Sequence, residues 1–197
     1  TMLSVLQLLE YQELEAEEIR FGENMEMTVF IGNIEVKLGQ DEYLEEKIAK
    51  DGTAIGTDIL KVDMFLNHQI DPALIMEMGK EFYRLFKDCG ATKVVTIESS
   101  GISMAVATAL QFGIPALFAK KAKHKNVGDD VYSANGYSYT HGKDYTMIVS
   151  KKYLNKGDKV LIIDDFMAGG NACNALIDII GQAGAEVVGI GIAIEKC

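Results

Sequence analysis

The sequence predicts an α/β domain with a mostly parallel sheet flanked by helices. Three observations carry that expectation. Short apolar runs alternate with single helical segments, and those runs are continuously apolar, as strands covered on both faces must be. The chain has 197 residues, 48% of them apolar and 24% charged, which suffices for one compact domain and excludes collagen, coiled coil and disordered tail.

Along the chain, Met2, Leu3, Val5, Leu6, Leu8 and Leu9 crowd ahead of an acidic run at 13–18. They lack a basic flank and a small-residue cleavage site, so no signal peptide is expected. Residues 27–38, MTVFIGNIEVKL, alternate like short strands around Gly32-Asn33, a hairpin signal. Residues 1–40 carry no legible chemistry and read as an extension used for packing or dimerisation. The regular text of the main domain spans 41–197.

Within it, 42–52 reads as a helix stopped by Gly52, and 72–90 as a longer one with Pro72 in its first turn and Gly90 at its end. A strand at 93–99, a helix at 102–113 and a strand at 114–120 follow. After a polar stretch at 121–143 come strands at 145–150 and 159–165, a helix at 171–184 and a strand at 186–195. GIGIA at 189–193 sits among Val188, Ile190 and Ile192 and reads as a crowded buried strand rather than a phosphate loop.

Nineteen Lys and Arg against 29 Asp and Glu give a formal charge of −10. That balance excludes a broad electrostatic footprint for nucleic acid or an anionic membrane. Only Arg20 and Arg84 carry guanidinium groups, so phosphate recognition must use lysine, backbone amides or a ligand-borne metal. Cys89, Cys173 and Cys197 form no disulfide framework or zinc motif, and His68, His124 and His141 are scattered; no protein-held metal is expected. No apolar run reaches the roughly 20 residues that cross a bilayer. A reducing, cytoplasmic setting is the expectation.

Ligands of parallel α/β sheets sit beyond the carboxyl ends of the strands. Three places qualify: 98–101, 164–172 and 195–196. The second is the most informative. In VLIIDDFMAGGNA, at 160–172, a buried strand delivers Asp164 and Asp165, followed by small residues and Gly169-Gly170 opening into a helix. Glycines let backbone N–H groups converge on an anion, and the helix N-terminus adds positive potential. Carboxylates beside a phosphate cradle suit a ligand that also offers hydroxyls or Mg2+, as a ribose phosphate does. A plain strand end with a capping role fits the same two aspartates. The missing Gly-Lys-Ser/Thr and G-x-G-x-x-G exclude a nucleotide P-loop and a dinucleotide fingerprint.

This segment resembles the phosphoribosyl-pyrophosphate (PRPP) signature of the type I phosphoribosyltransferases. ILKVDMFLNHQIDP at 59–72, VVTIESSGI at 94–102 and IGIAIEK at 190–196 are similar to the xanthine phosphoribosyltransferases, in the same order and spacing over about residues 41–197. The resemblance implies a type I phosphoribosyltransferase-like sheet with a small hood subdomain, and transfer of the 5-phosphoribosyl group from PRPP to xanthine with release of pyrophosphate. It implies Mg2+ carried mainly by PRPP or pyrophosphate, and a homodimer. Guanine, hypoxanthine or adenine as the base, or a PRPP-binding regulator without catalysis, are the alternatives.

By the same resemblance, Ala168, Gly169, Gly170, Asn171 and Ala172 would wrap the 5-phosphate, while Asp164 and Asp165 would hold the ribose hydroxyls and favour positive charge on the ring. Glu98, Ser99, Ser100 and Gly101 match the loop that receives pyrophosphate, although Ser99 or Ser100 also suits a simple helix cap. Leu60, Asn67 and Lys196 match the base contacts, and an ammonium at Lys196 suits an oxopurine better than adenine. Lys120, Lys121 and Lys123 belong to the one basic cluster, placed by the family near the pyrophosphate; a solvated charge run is the plain alternative. The polar stretch at 124–145, with Tyr137 and Tyr139, corresponds to a mobile loop closing over PRPP.

Two departures stand out. Gly169 and Asn171 replace the Thr or Ser common in the superfamily, and the sequence given stops soon after Lys196, where the family usually continues. ELEAEEIRFGEN, at 13–24, is faintly similar to the family's terminal strand segment, so residues 1–40 are expected either to fill that place or to be a simple extension.

Overall fold

The computed structural model describes residues 18–21, 27–31, 34–38, 53–55, 59–61, 66, 68–122, 130–138, 143–167 and 170–195. In chain order the elements are β1 (Glu18–Phe21), β2 (Met27–Ile31), β3 (Ile34–Leu38), β4 (Thr53–Ile55), β5 (Ile59–Lys61), α1 (Pro72–Phe86), β6 (Lys93–Ile97) and α2 (Gly101–Phe112). They continue with β7 (Ala116–Ala122), β8 (Val131–Ser138), β9 (Lys143–Ser150), β10 (Lys159–Met167), α3 (Asn171–Gln182) and β11 (Glu186–Glu195). Among the described residues nine strands form one sheet in the order β1-β2-β3-β11-β10-β6-β7-β9-β8, and β4 and β5 form a separate antiparallel ribbon.

The five central strands, β3, β11, β10, β6 and β7, are parallel to one another, and both flanks are antiparallel. The expected parallel sheet is therefore its centre. Helices cover both faces: α1 and α2 bury Leu74, Phe82, Phe86 and Met104 against Val94, Leu161 and Ile163, while α3 buries Leu176, Ile179 and Ile180 against Val95, Val160 and Ile162. Alternate residues of β6 and β10 feed opposite cores, so both strands must be apolar throughout. Truncating a fully buried Phe86 to alanine would cost about 3–5 kcal/mol.

Local chemistry sets the boundaries. Asp71 caps α1, accepting from the N–H groups of Ala73 and Leu74 at 3.0 and 3.3 Å, with Pro72 in the first turn. The helix ends at Phe86, four residues short of the expected end at Gly90, because the Cys89 N–H turns back to the Phe86 carbonyl. Gly113, at φ 67°, closes α2 as expected. GIGIA lies in β11 as a buried strand. A Cβ at Gly189 would stand 2.8 Å from the Phe86 ring, and one at Gly191 2.8 Å from the Phe82 ring, so α1 rests directly on that strand.

The long polar stretch needs correcting. Residues 131–138 and 143–150 are strands β8 and β9, with Tyr137 paired to Asp144, so Tyr137 belongs to the sheet rather than to a loop. The period-2 signal is present but muted: Tyr132, Ala134 and Gly136 turn inward, while Ser133 and Asn135 are the polar alternates. Gly136 is the cross-strand partner of Tyr145, and a Cβ there would stand 2.5 Å from the Tyr145 ring. The hairpin expected around Gly32-Asn33 is present as β2 and β3, and β3 continues into the main sheet through the Val36–Ile190 pair with β11. The helix expected at 42–52 and Tyr139 lie outside the described residues, and the ribbon of β4 and β5, which holds Leu60 opposite Ala54, was not anticipated.

Candidate active site at the switch point of the sheet

From β6 the chain passes through α2 to β7 on one side, and from β10 through α3 to β11 on the other. β6 and β10 are themselves adjacent and parallel. The chain thus winds outward in opposite directions from this pair, and the crevice beyond their carboxyl ends is the topological switch point where such sheets bind ligands. The loop that follows β6 is 98–101, and the one that follows β10 leads through 168–170. Both strongest sequence segments meet there.

Asp164 and Asp165 follow the fully buried run 160–163 of β10, ahead of the half-buried Phe166 and the buried Met167. Asp165 is only 8% exposed. Asp164 Oδ1 accepts the Asp165 N–H at 3.1 Å and the Thr96 hydroxyl at 3.4 Å. Burial, then the Asp165 carboxylate beside it, pushes the Asp164 carboxyl up to about 8. A carboxyl held up in this way by burial and a neighbouring carboxylate is unlike one at a strand end in solvent.

The expected cap at Ser99 or Ser100 is not formed by Ser100. It occupies the N-cap position of α2 with no side-chain capping bond. Its carbonyl instead accepts the Ser103 hydroxyl, and the Ser99 carbonyl accepts the Ile102 N–H. Gly170, at φ 71°, likewise begins α3 without a side-chain cap. Two helices therefore direct uncapped first turns at the crevice, whereas α1, which starts elsewhere, is capped by Asp71. First-turn N–H groups and the helix dipole make each such end receptive to phosphate.

Glu98 ties the loop to the neighbouring strand. Its N–H donates to the Ala119 carbonyl, and its carboxylate accepts the Lys121 N–H at 2.6 Å. The Glu98–Ser99 peptide is cis. Lys120 and Lys121 lie on β7 and, as successive strand residues, point to opposite faces. Lys120 Nζ lies 5.9 Å from the Phe118 ring centre and Lys121 Nζ 5.4 Å from that of Tyr145. Tyr145 is half-buried, and burial together with the Asp164 charge raises its phenol above the usual value. Lys121, rather than Lys120, shares the aspartate side of the sheet.

Of the remaining expected site residues, Asn171 and Ala172 open α3, and the side chain of Leu60 together with Ala168, Gly169, Asn67, Lys123 and Lys196 lies outside the described residues. His68 is exposed beside the buried Leu66. Thr96, Tyr145 and Cys173 join the site without having been singled out. Cys173 is buried on α3, and burial followed by the Asp164 charge pushes its thiol up to about 12, so it is inert packing. A hydroxyl at Thr96, 1% exposed in the otherwise apolar run VVTI, is the one signal that reading the sequence could have used.

A doubly covered sheet with a parallel centre, and a carboxylate pair and two uncapped helix ends at its switch point, make this a protein of the type I phosphoribosyltransferase fold. Residues 62–197 match the phosphoribosyl transferase domain. The chain is 53% identical over 153 residues to a xanthine phosphoribosyltransferase of Latilactobacillus sakei, covering 78% of each chain. It is 53% identical over 155 residues to that of Ruminiclostridium cellulolyticum, covering 79% of this chain and 82% of the relative. The chain belongs to the phosphoribosyltransferase family and groups there with the xanthine phosphoribosyltransferases. The fold is also that of adenine phosphoribosyltransferases from Rhodothermus marinus and Saccharomyces cerevisiae. Their TM-scores are 0.62 and 0.64 at 24% and 19% identity, covering 79% of this chain in both cases and 88% and 90% of theirs.

Proposed function

We propose that the chain transfers the 5-phosphoribosyl group of PRPP to xanthine, yielding xanthosine monophosphate and pyrophosphate in purine salvage. The observation that carries this reading is the meeting, at one switch point, of the aspartate pair and two uncapped helix ends, in a chain half identical to xanthine phosphoribosyltransferases.

Breaking the anomeric bond gives the ribose ring oxocarbenium character, so the site must accommodate positive charge on the sugar and negative charge on the leaving group. Asp164 and Asp165 would accept the ribose hydroxyls and stabilise the ring. The N–H groups of Gly170, Asn171 and Ala172, with Ala168 and Gly169, would hold the 5-phosphate. Ser99, Ser100 and Gly101, the first turn of α2 and Lys121 would receive the pyrophosphate, with Lys120 and Lys123 supplying further charge at its rim. Leu60, Asn67 and Lys196 would orient the base.

Asp164 and Asp165 stand where ribose hydroxyls would be received, and Mg2+ would ride on the phosphates of PRPP or pyrophosphate. Bound in that way, it would neutralise charge on the departing pyrophosphate.

Residues 1–40 are proposed to border the base side of the site, since β3 lies along β11 and β11 leads to Lys196. Val106 and Leu110, one turn apart on α2 and 54% and 66% exposed, are proposed to meet a second copy in a homodimer. No described helix is long and apolar enough to cross a membrane. A cytoplasmic location fits the cysteine usage.

Mixing the protein with Mg2+, PRPP and each of xanthine, guanine, hypoxanthine and adenine tests the reading. Xanthosine monophosphate as the fastest product is expected, and adenine as best substrate would refute the role of Lys196. PRPP binding with no product from any base would favour a sensor. Asp165→Asn should lower kcat at least about 100-fold with the fold intact.

A further inference from the structure

We propose that Thr96 is a positioning residue of this site: its hydroxyl holds the Asp164 carboxylate in the volume that Gly101 leaves vacant, locking the ribose carboxylate to the first turn of α2. The inference rests on the reading of Asp164 as the acceptor of a ribose hydroxyl.

Three observations converge on one oxygen. Thr96 is 1% exposed, so its hydroxyl must find its partner inside the protein, and it donates to Asp164 Oδ1 at 3.4 Å. The Asp165 N–H donates to the same oxygen at 3.1 Å. A Cβ built on Gly101 would overlap both Thr96 Oγ1 and Asp164 Oδ1 and would lie 3.5 Å from Asp164 Cα. Gly101 is an ordinary helical position, so what excludes a side chain there is space already occupied by the threonine and the aspartate. The three residues come from β6, the start of α2 and β10, which are the parts that meet at the switch point.

The need for such a donor follows from what else faces Asp164. Asp165 on its own strand repels its charge, while Tyr145 on β9 and Cys173 on α3, whose ionisation that charge opposes, stay neutral at neutral pH and bring no positive charge to it. None of the ion pairs among the described residues includes Asp164. Besides the Asp165 N–H, Thr96 is thus a donor that favours the ionised form of this carboxyl. Without it the carboxyl would be free to swing away from Gly101 and would keep its proton to higher pH.

The test compares Thr96→Val, which keeps the shape and removes the hydroxyl, with Thr96→Ser, which keeps the hydroxyl. Thr96→Ala serves as a second hydroxyl-free variant if the valine form melts below assay temperature. The hydroxyl-free variants should lose about 5- to 30-fold in kcat, and the acid limb of the kcat profile should move up by roughly 0.5 pH unit or more, with the KM for xanthine within about twofold. Thr96→Ser should keep the wild-type pH profile and stay within about threefold in kcat. Folded hydroxyl-free variants with wild-type kcat and profile would overturn the proposal. So would equal losses in the valine and serine variants with no shift of the profile. Asp164→Asn separates this inference from the reading beneath it: full activity there would remove the role of Asp164 itself, whereas an inactive Asp164→Asn beside a wild-type-like Thr96→Val would remove only the role of Thr96.

Discussion

Replacing Asp164 by asparagine should stabilise the protein at neutral pH while disabling it. In the unfolded chain this carboxyl loses its proton near 3.8, and in the folded protein burial and Asp165 hold it to about 8. A folded pKa raised above the unfolded one means that the native state binds the extra proton throughout that window. Stability is therefore greatest below 3.8 and declines as pH rises towards 8. Each pH unit in the window is worth about 1.36 kcal/mol, so raising the pH from 4.5 to 7.5 withdraws about 4 kcal/mol at most. Relaxation and water penetration around a buried carboxylate bring the expected figure to about 2–4 kcal/mol. The amide oxygen of asparagine can still accept from Thr96 and from the Asp165 N–H, but it has no charge to withdraw. Urea denaturation of both proteins at several pH values isolates the effect of this site, because titrating groups remote from Asp164 cancel in their difference. The asparagine variant should gain on the wild type as pH rises, with its turnover lost. A difference that stays flat from pH 4.5 to 7.5 would refute the argument that Asp164 is held protonated by its surroundings.

Other consequences can be measured in the same way. Lys93 pairs with Asp158 at 2.8 Å, both largely buried, and also donates to the Tyr153 carbonyl; Lys93→Met should cost about 1–3 kcal/mol at pH 7 by urea denaturation. Burial raises the Asp158 carboxyl, but Lys93, Asn155 and Thr92 outweigh it and leave it below its ordinary value, so that stabilisation should persist above pH 3.8 and fade as pH falls through the lowered one. Gly191→Val would drive a side chain into Phe82 and Ile163 and should cost about 1–3 kcal/mol or more, read as a lower melting temperature. Val36→Pro should break the single described pair that joins β3 to β11, lowering the melting temperature and raising the KM for the base; an unchanged KM would remove residues 1–40 from the site. Tyr145→Leu should raise the KM for pyrophosphate in the reverse reaction about two- to fivefold by freeing the Lys121 ammonium, and Tyr145→Phe should restore it.

Where burial on both faces forced continuous apolar runs, the sequence was easy to read. β11 has its expected bounds, β6 and β10 lie within two residues of theirs, and the aspartate pair drew notice because a charged doublet follows such a run. β9 contains the strand expected at 145–150, but its partner β8 escaped because its inward positions are Tyr, Ala and Gly, too small or too polar to stand out against Ser and Asn. Thr96 and Tyr145 escaped for a different reason. Their importance arises from neighbours 68 residues along the chain in one case and from an adjacent strand in the other, and linear spacing carries neither. The serine expected to cap α2 shows the converse limit. Ser100 has the right chemistry at the right place, yet it leaves that helix end open.

The two glycines of β11 act as a gauge. With no side chains at 189 and 191, the Phe82 and Phe86 rings of α1 pack directly on the β11 backbone, with Leu161 and Ile163 beside them, and so set how closely α1 approaches the sheet. In the sequence the segment at 59–70 precedes α1, and Lys196 follows β11. The seat of α1 on β11 therefore bears on the two stretches proposed to hold the base, one before α1 and one after β11 in the chain. Substitutions among these four residues should alter which bases fit before they alter how fast the bond is made.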